Sequence, residues 1–148
     1  MLFRSIGEIE LDSAITDAIS ECESKASECE MEIDYEECEC VVKAGSLLDE
    51  LFSNLVVNCV QHSDGDLIKI WAHRDGDDVV VTIEDDGKGI PDEVKDKILE
   101  RGFKKGENAG SGLGMHLVEK ISKAYGGHIE VKDSELGGAR FDVYLKKA

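Results

Sequence analysis

From Ser46 to Ser63 the chain reads SLLDELFSNLVVNCVQHS. Leu47, Leu48, Leu51, Phe52, Leu55, Val56, Cys59 and Val60 cover more than one helical face, as in a helix laid against a sheet. Through them runs a polar stripe. Glu50, Asn54, Asn58 and His62 fall four residues apart, so they share a face, with Gln61 beside them. Amides at Asn54 and Asn58 are costly in apolar surroundings unless something satisfies them. Two readings stay open for this helix alone: the amides bond neighbouring backbone or water, or the stripe lines a pocket for a metal or polar ligand.

The 148 residues suit one domain with a real core. Composition is 41% hydrophobic and 5% aromatic, with a net charge of −16. That charge argues against a nucleic-acid surface and against direct contact with an anionic membrane. An anionic ligand would need a metal or local backbone donors. No apolar run reaches the roughly 18 residues of a membrane span, and the opening MLFRSIGEIELD lacks a signal-peptide core. The cysteines are Cys22, Cys29, Cys38, Cys40 and Cys59. An odd number without paired CxxC spacing suits free thiols in a reducing cytoplasm, with a metal site or redox switch as the alternative. Cys22 and Cys29 share a helix face if that helix continues, and Cys38 and Cys40 share a strand face.

Glu8–Leu11 reads as a short strand. Asp12 can cap a helix running to about Ala26. Cys29–Tyr35 alternates as a strand, and Glu39–Lys43 is a second one. After the central helix, Leu67–His73 and Val79–Glu84 form a hairpin across Arg74-Asp75-Gly76-Asp77-Asp78. Pro91 opens a short helix to about Glu100. Arg101–Ser111 has no apolar period and reads as a mobile loop. Gly112–Ala124 is helical, Gly126-Gly127 stops it, and Gly127–Val131 and Ala139–Leu145 close the chain as strands. This order predicts an α/β (α+β) two-layer sandwich: one layer of helices on one mixed, mainly antiparallel sheet.

Two glycine-rich stretches carry chemistry. Asp85-Asp86-Gly87-Lys88-Gly89 leaves a strand and turns sharply. Gly87 and Gly89 permit positive φ and close backbone approach, and a buried carboxylate there can accept from an exocyclic amine. The plain alternative is an Asp-Gly turn. Gly110-Ser111-Gly112-Leu113-Gly114 sits at a helix entry, where free N–H groups and the helix dipole favour phosphate. The plain alternative is a hinge. Neither the Walker pattern nor the dinucleotide fingerprint is present. Between the two stretches, Arg101, Lys104 and Lys105 form a basic cluster that can meet phosphate when the loop closes, or can simply face solvent. Asn58 offers a neutral oxygen suited to Mg²⁺ shared with phosphate.

Together these segments resemble the ATP-binding catalytic domain of sensor histidine kinases, of the superfamily shared with gyrase, Hsp90 and MutL. LFSNLVVNCVQHS resembles the asparagine box, EDDGKGIP the first glycine box, ERGFKK the phenylalanine box, GSGLGMHLVEKI the second glycine box and GGARFDVYL the closing segment. The resemblance runs from about Glu8 to Lys146. It implies the Bergerat fold over a single domain, 1–148, with a mobile ATP lid at about 100–111.

By the same resemblance, Asn58 coordinates Mg²⁺ and Asn54 lies near the phosphates. Asp85 binds the adenine amine, and Gly87, Gly89 and Ile90 shape the base pocket. Gly110, Ser111, Gly112, Leu113 and Gly114 cradle phosphate through backbone, Phe103 anchors the lid, and Lys104 and Lys105 join the ATP site. Gln61 stands where many relatives carry a phosphate-touching lysine, His62 lines the pocket, and His116 replaces a usual small residue. Hydrolytic members carry a glutamate where Asn54 stands, which favours transfer to an imidazole over hydrolysis. The implied partners are a histidine phosphoacceptor and dimerisation domain and a response-regulator receiver domain. None of His62, His73, His116 or His128 sits in an acceptor-like helix, so the acceptor is expected elsewhere, in a longer parent kinase or in trans. The expected location is cytoplasmic, with the inner end of a membrane-bound sensor kinase as one form of it. The alternatives are an anti-sigma-type serine kinase switch and a non-catalytic ATP-binding module.

Overall fold

The computed structural model describes residues 6–62, 64–100 and 113–148, without the side chains of His62 and Leu113. In chain order the elements are β1 (Gly7–Glu10), α1 (Leu11–Glu28), β2 (Glu32–Tyr35), β3 (Val41–Ala44), α2 (Leu48–His62), β4 (Leu67–Asp75), β5 (Asp78–Asp85), α3 (Asp92–Lys95), α4 (Leu113–Ala124), β6 (His128–Asp133) and β7 (Ala139–Lys147). Among the described residues the strands form one sheet in the order β1-β3-β7-β5-β4-β2, and β6 also pairs with β7. β7 is long enough for both: β6 lies along Ala139–Tyr144, and β3 takes Lys146 and Lys147. Only β2–β4 is parallel; the other pairings are antiparallel. The predicted mixed, mainly antiparallel sheet under one layer of helices is what the chain forms.

The alternation of β4, β5 and β7 explains the two layers. Ile68, Ile70, Val79, Val81, Ile83, Phe141, Val143 and Leu145 join the apolar core with the helices. Thr82, Glu84 and Asp142 alternate with them and are buried too, on the opposite face. There Thr82 Oγ1 (2.8 Å) and Arg140 Nε (2.9 Å) donate to Asp142 Oδ1, and Lys132 Nζ (2.9 Å) to its Oδ2. Leu48, Leu51, Phe52, Leu55 and Val56 are each buried on α2. Burying one such side chain contributes about 1.5–3 kcal/mol. That apolar anchor fixes the helix's rotation and leaves Asn54 and Asn58 half-buried at its edge.

The hairpin forms as expected, with Asp75 opposite Asp78 and Gly76 at φ +61 in the turn. Gly126, at φ +81, ends α4. The helix opened near Pro91 is shorter than expected. Pro91 precedes its first residue, α3 closes at Lys95, and single turns such as Ile98 N–H to Val94 O (3.0 Å) carry the chain to Glu100.

Asp12 does not cap α1. The helix begins at Leu11, whose N–H donates to Cys40 O (2.9 Å). Asp12 instead reaches across to the β2–β3 connection. Its carboxylate accepts from Tyr35 Oη, from Cys38 N (3.0 Å) and from Glu39 N (2.8 Å). Burial pushes this carboxyl up, but the hydrogen bonds from Tyr35, Cys38 and Glu39 outweigh it and hold it below its ordinary value of 3.8. A depressed folded value contributes stability above the unfolded value and loses it as pH falls through the folded one. Asp12→Ala should therefore cost about 2 kcal/mol at neutral pH and flatten the stability loss below pH 3.8. Urea titrations across that window measure both.

The cysteine expectations also change. Cys22 is buried on α1, while Cys29 is exposed just past its end, so they share no face. Cys38 and Cys40 precede β3, because Glu39 between them takes φ +54 and breaks the strand alternation. All five thiols are free.

Candidate functional site

β5 runs through the middle of the sheet and delivers Asp85 at its end, 2% exposed. Three segments meet its side chain. Gly87 N–H (3.0 Å) donates to Oδ1 from the turn that follows. Ala139 N–H (3.2 Å) donates to the same oxygen from the start of β7. Cys59, buried on α2, lies beside the carboxylate; burial first, and then the Asp85 charge, pushes this thiol well above the usual range. A carboxylate has about four acceptor positions, so the two backbone donors, both on Oδ1, leave acceptor capacity on the side chain.

The glycines permit the close packing. A Cβ on Gly138 would stand 2.0 Å from Asp85 Oδ1, and one on Gly65 would stand 2.3 Å from Asp86 Oδ1. Asp86 turns away from Asp85 and accepts from Asp66 N (2.8 Å) and Leu67 N (3.0 Å), tying the end of the α2–β4 connection to the turn. Positive φ is used at Gly89 (+75) but not at Gly87. The close approach here belongs to Gly65, where a Cβ would lie 2.7 Å from the Gly87 nitrogen. Ile90 is buried behind the turn.

At the other end, α2 meets α4. A Cβ on Gly114 would come within 3.4 Å of Asn54 Oδ1, so the asparagine face looks onto the first turn of α4. Asn58 lies one turn further along that face, half-buried, and Gln61 is exposed at the end of α2. The structure thus brings Asn54 to Gly114 at one end, and Cys59, Gly138 and Ala139 to Asp85 at the other, with Gly87, Gly89 and Ile90 in the segment that follows it and Asn58 next to Cys59 in the chain. His116 Nδ1 lies 3.3 Å from Leu99 O, tying α4 to the segment after α3. Arg101, Phe103, Lys104, Lys105, Gly110, Ser111 and Gly112 lie outside the described residues, as do the side chains of His62 and Leu113.

Sequence reading did not place Cys59, Gly138 or Ala139 at this site. Cys59 read as core, and Gly137-Gly138 as a turn between closing strands. A usable signal was the GG pair directly before a strand, the spacing at which backbone can press against a neighbour.

The family described as histidine kinase-, DNA gyrase B-, and HSP90-like ATPase matches residues 44–148. The alginate biosynthesis sensor protein KinB of Pseudomonas aeruginosa is 38% identical over 103 residues, covering 66% of this chain and 17% of KinB. Sensor protein CitS of Halalkalibacterium halodurans is 35% identical over 107 residues, 72% of this chain and 19% of CitS. The chain therefore spans under a fifth of the length of these two relatives. Among solved structures, the catalytic domain of histidine kinase ThkA is 26% identical with a TM-score of 0.84, covering 97% of this chain and 96% of that one. The mycobacterial sensor histidine kinase MprB, 21% identical, shares the fold at a TM-score of 0.85 over 96% and 97%. The chain belongs to the histidine kinase-, DNA gyrase B- and HSP90-like ATPase family, as a catalytic domain of the histidine-kinase kind.

Proposed function

We propose that this chain binds Mg-ATP and presents its γ-phosphoryl group to a histidine on a phosphoacceptor and dimerisation domain, as the kinase step of two-component signalling. The observation that carries the reading is Asp85. It is a buried carboxylate that accepts backbone N–H groups from two separate segments, with acceptor capacity left over, at the end of the site away from the Asn54–Gly114 contact. A buried carboxylate with acceptor capacity to spare suits an exocyclic amine such as that of adenine.

In this reading Asp85 accepts from the adenine amine, Gly87 and Gly89 keep side chains out of the ring's way, and Ile90 adds an apolar surface. Asn58 offers its amide oxygen to Mg²⁺, and Asn54 faces the phosphates. The donor set fits: a neutral amide oxygen at a half-buried edge suits a hard cation that keeps waters and phosphate oxygens as its remaining ligands. The bound metal would neutralise charge on the phosphate chain. Gly110, Ser111, Gly112, Leu113 and Gly114 supply backbone N–H groups to phosphate, Lys104 and Lys105 add charge, Phe103 anchors the lid at about 100–111, and Gln61 and His62 line the rim. With an amide at Asn54, the pocket has no carboxylate at that position to activate water, which favours an imidazole acceptor over hydrolysis.

We further propose that residues 1–148 act as one domain. Its acceptor lies on a longer parent chain or on a separate one, a receiver domain takes the phosphoryl group onward, and the domain works in the cytoplasm. No helix among the described residues is long and apolar enough to cross a membrane.

The experiment is ATP binding by calorimetry with and without Mg²⁺, on the native chain and on Asn58→Ala. Native affinity should rise with Mg²⁺, and the variant should lose that rise while keeping its metal-free affinity within about twofold, since one ligand and no base contact is removed. A retained Mg²⁺ dependence moves the metal elsewhere.

A further inference from the structure

Asp85 is also braced from the far side of the sheet. Its chain neighbour Glu84 points to the opposite face and is 6% exposed. Two neutral donors hold it there: Trp71 Nε1–H (2.7 Å) on Oε2 and Ser134 Oγ–H (2.6 Å) on Oε1. Ser134 is buried as well and begins the β6–β7 turn. Its hydroxyl accepts from Leu136 N–H (3.0 Å), its N–H donates to Gly138 O (2.8 Å), and its carbonyl accepts from Gly137 N–H (3.0 Å). The far end of this turn returns to β5, where Gly138 N–H donates to Asp85 O (3.2 Å) and Ala139 N–H to Asp85 Oδ1 (3.2 Å).

We infer that Ser134 and Glu84 are positioning residues for the base end of the pocket, setting the β6–β7 turn from the solvent face so that Gly138 and Ala139 hold the Asp85 carboxylate. The inference rests on the nucleotide reading above. Three features single out this turn. Glu84 and Asp85 are consecutive, so any shift of one moves the other. A carboxyl side chain this buried is held here by a hydroxyl and an indole N–H, with Arg140 over the Trp71 ring at 5.4 Å, and losing either donor leaves a buried acceptor short of a partner. The Gly138 contact has no slack: a Cβ there would overlap Asp85 Oδ1 at 2.0 Å, so a small displacement of the turn reaches the carboxylate directly. The turn lies away from Asn54 and Gly114, so its effect should fall on base recognition and spare the phosphate end.

The test uses Ser134→Ala and Ser134→Thr in the full chain, with ADP and inorganic tripolyphosphate as separate calorimetric ligands. The alanine variant should weaken ADP about fivefold, the worth of one hydrogen bond, and leave tripolyphosphate unchanged. The threonine variant, which keeps the hydroxyl, should bind ADP as the native chain does. Amide exchange at Ala139, measured without nucleotide, should quicken in the alanine variant alone. If Ser134→Ala does not fold, Glu84→Gln carries the same comparison. Native ADP affinity in Ser134→Ala, or an equal loss for both ligands, overturns the positioning role and leaves the nucleotide reading standing. A native chain that does not bind ADP overturns that reading, and the positioning role with it.

Discussion

Asp85→Asn should lower ADP affinity by about 100-fold, the combined effect of a lost charge-assisted bond and a mispaired donor. The side chain keeps its shape, so the fold should survive. The amide then has to choose. Gly87 N–H and Ala139 N–H both donate to Oδ1, which forces the amide oxygen to that side. The NH₂ group is left facing the base, where it meets the adenine amine donor to donor. The same geometry favours a base that offers a carbonyl in place of the amine. An inosine diphosphate should therefore lose less affinity than ADP, or gain some. Paired calorimetric titrations of the two nucleotides read this directly. Unchanged ADP affinity, or equal losses for both bases, would remove the adenine assignment.

Gly138→Ala should cost about 3 kcal/mol in unfolding free energy, at the upper end for an overpacked site. The added carbon would stand 2.0 Å from Asp85 Oδ1, 2.6 Å from Asp85 O and 2.6 Å from Gly87 N. None of these is the far end of a flexible side chain, so relief requires moving β7 against β5 or expelling Asp85 from its donors. ADP binding should be lost with the stability. Gly137→Ala, one residue earlier, has nothing within 4 Å of its Cβ and is the local control. Its φ of +109 makes it strained but leaves the carboxylate untouched. Denaturant midpoints and ADP titrations on the pair separate backbone strain from collision. Equal behaviour of the two variants would show that packing on Asp85 is not the cause.

What the sequence disclosed was local in origin. The stripe at Asn54 and Asn58 follows from helical period, and Asp85-x-Gly-x-Gly follows from a strand that stops in a turn. The order of helices and strands followed from period and breakers in the same way. What escaped notice was decided between distant segments. Asp12 has the right residue type to cap α1, but a backbone donor from Leu11 to Cys40 starts the helix earlier and frees the carboxylate for a turn 26 residues on. Ala139 carries no polar side chain at all; it matters through an N–H that only the β5–β7 register brings to Asp85. Gly87 looked like a positive-φ position because glycine permits it, whereas in the structure Gly89 takes the positive φ and Gly87 contributes its N–H to Asp85.

β5 lies between β4 and β7, with paired strands on both edges along nearly its whole length. Amides in such a strand exchange with solvent through the rarest openings, those that unfold the whole domain. A ligand gripped by the last residue of that strand is released when the domain unfolds, and so stabilises the entire native state by mass action. Occupancy of the base site should thus register as slower exchange across the central sheet, far beyond the residues that touch the ligand. A melting curve of this chain then doubles as a nucleotide sensor: at a free ADP concentration 100 times its dissociation constant, the gain is about 2.7 kcal/mol.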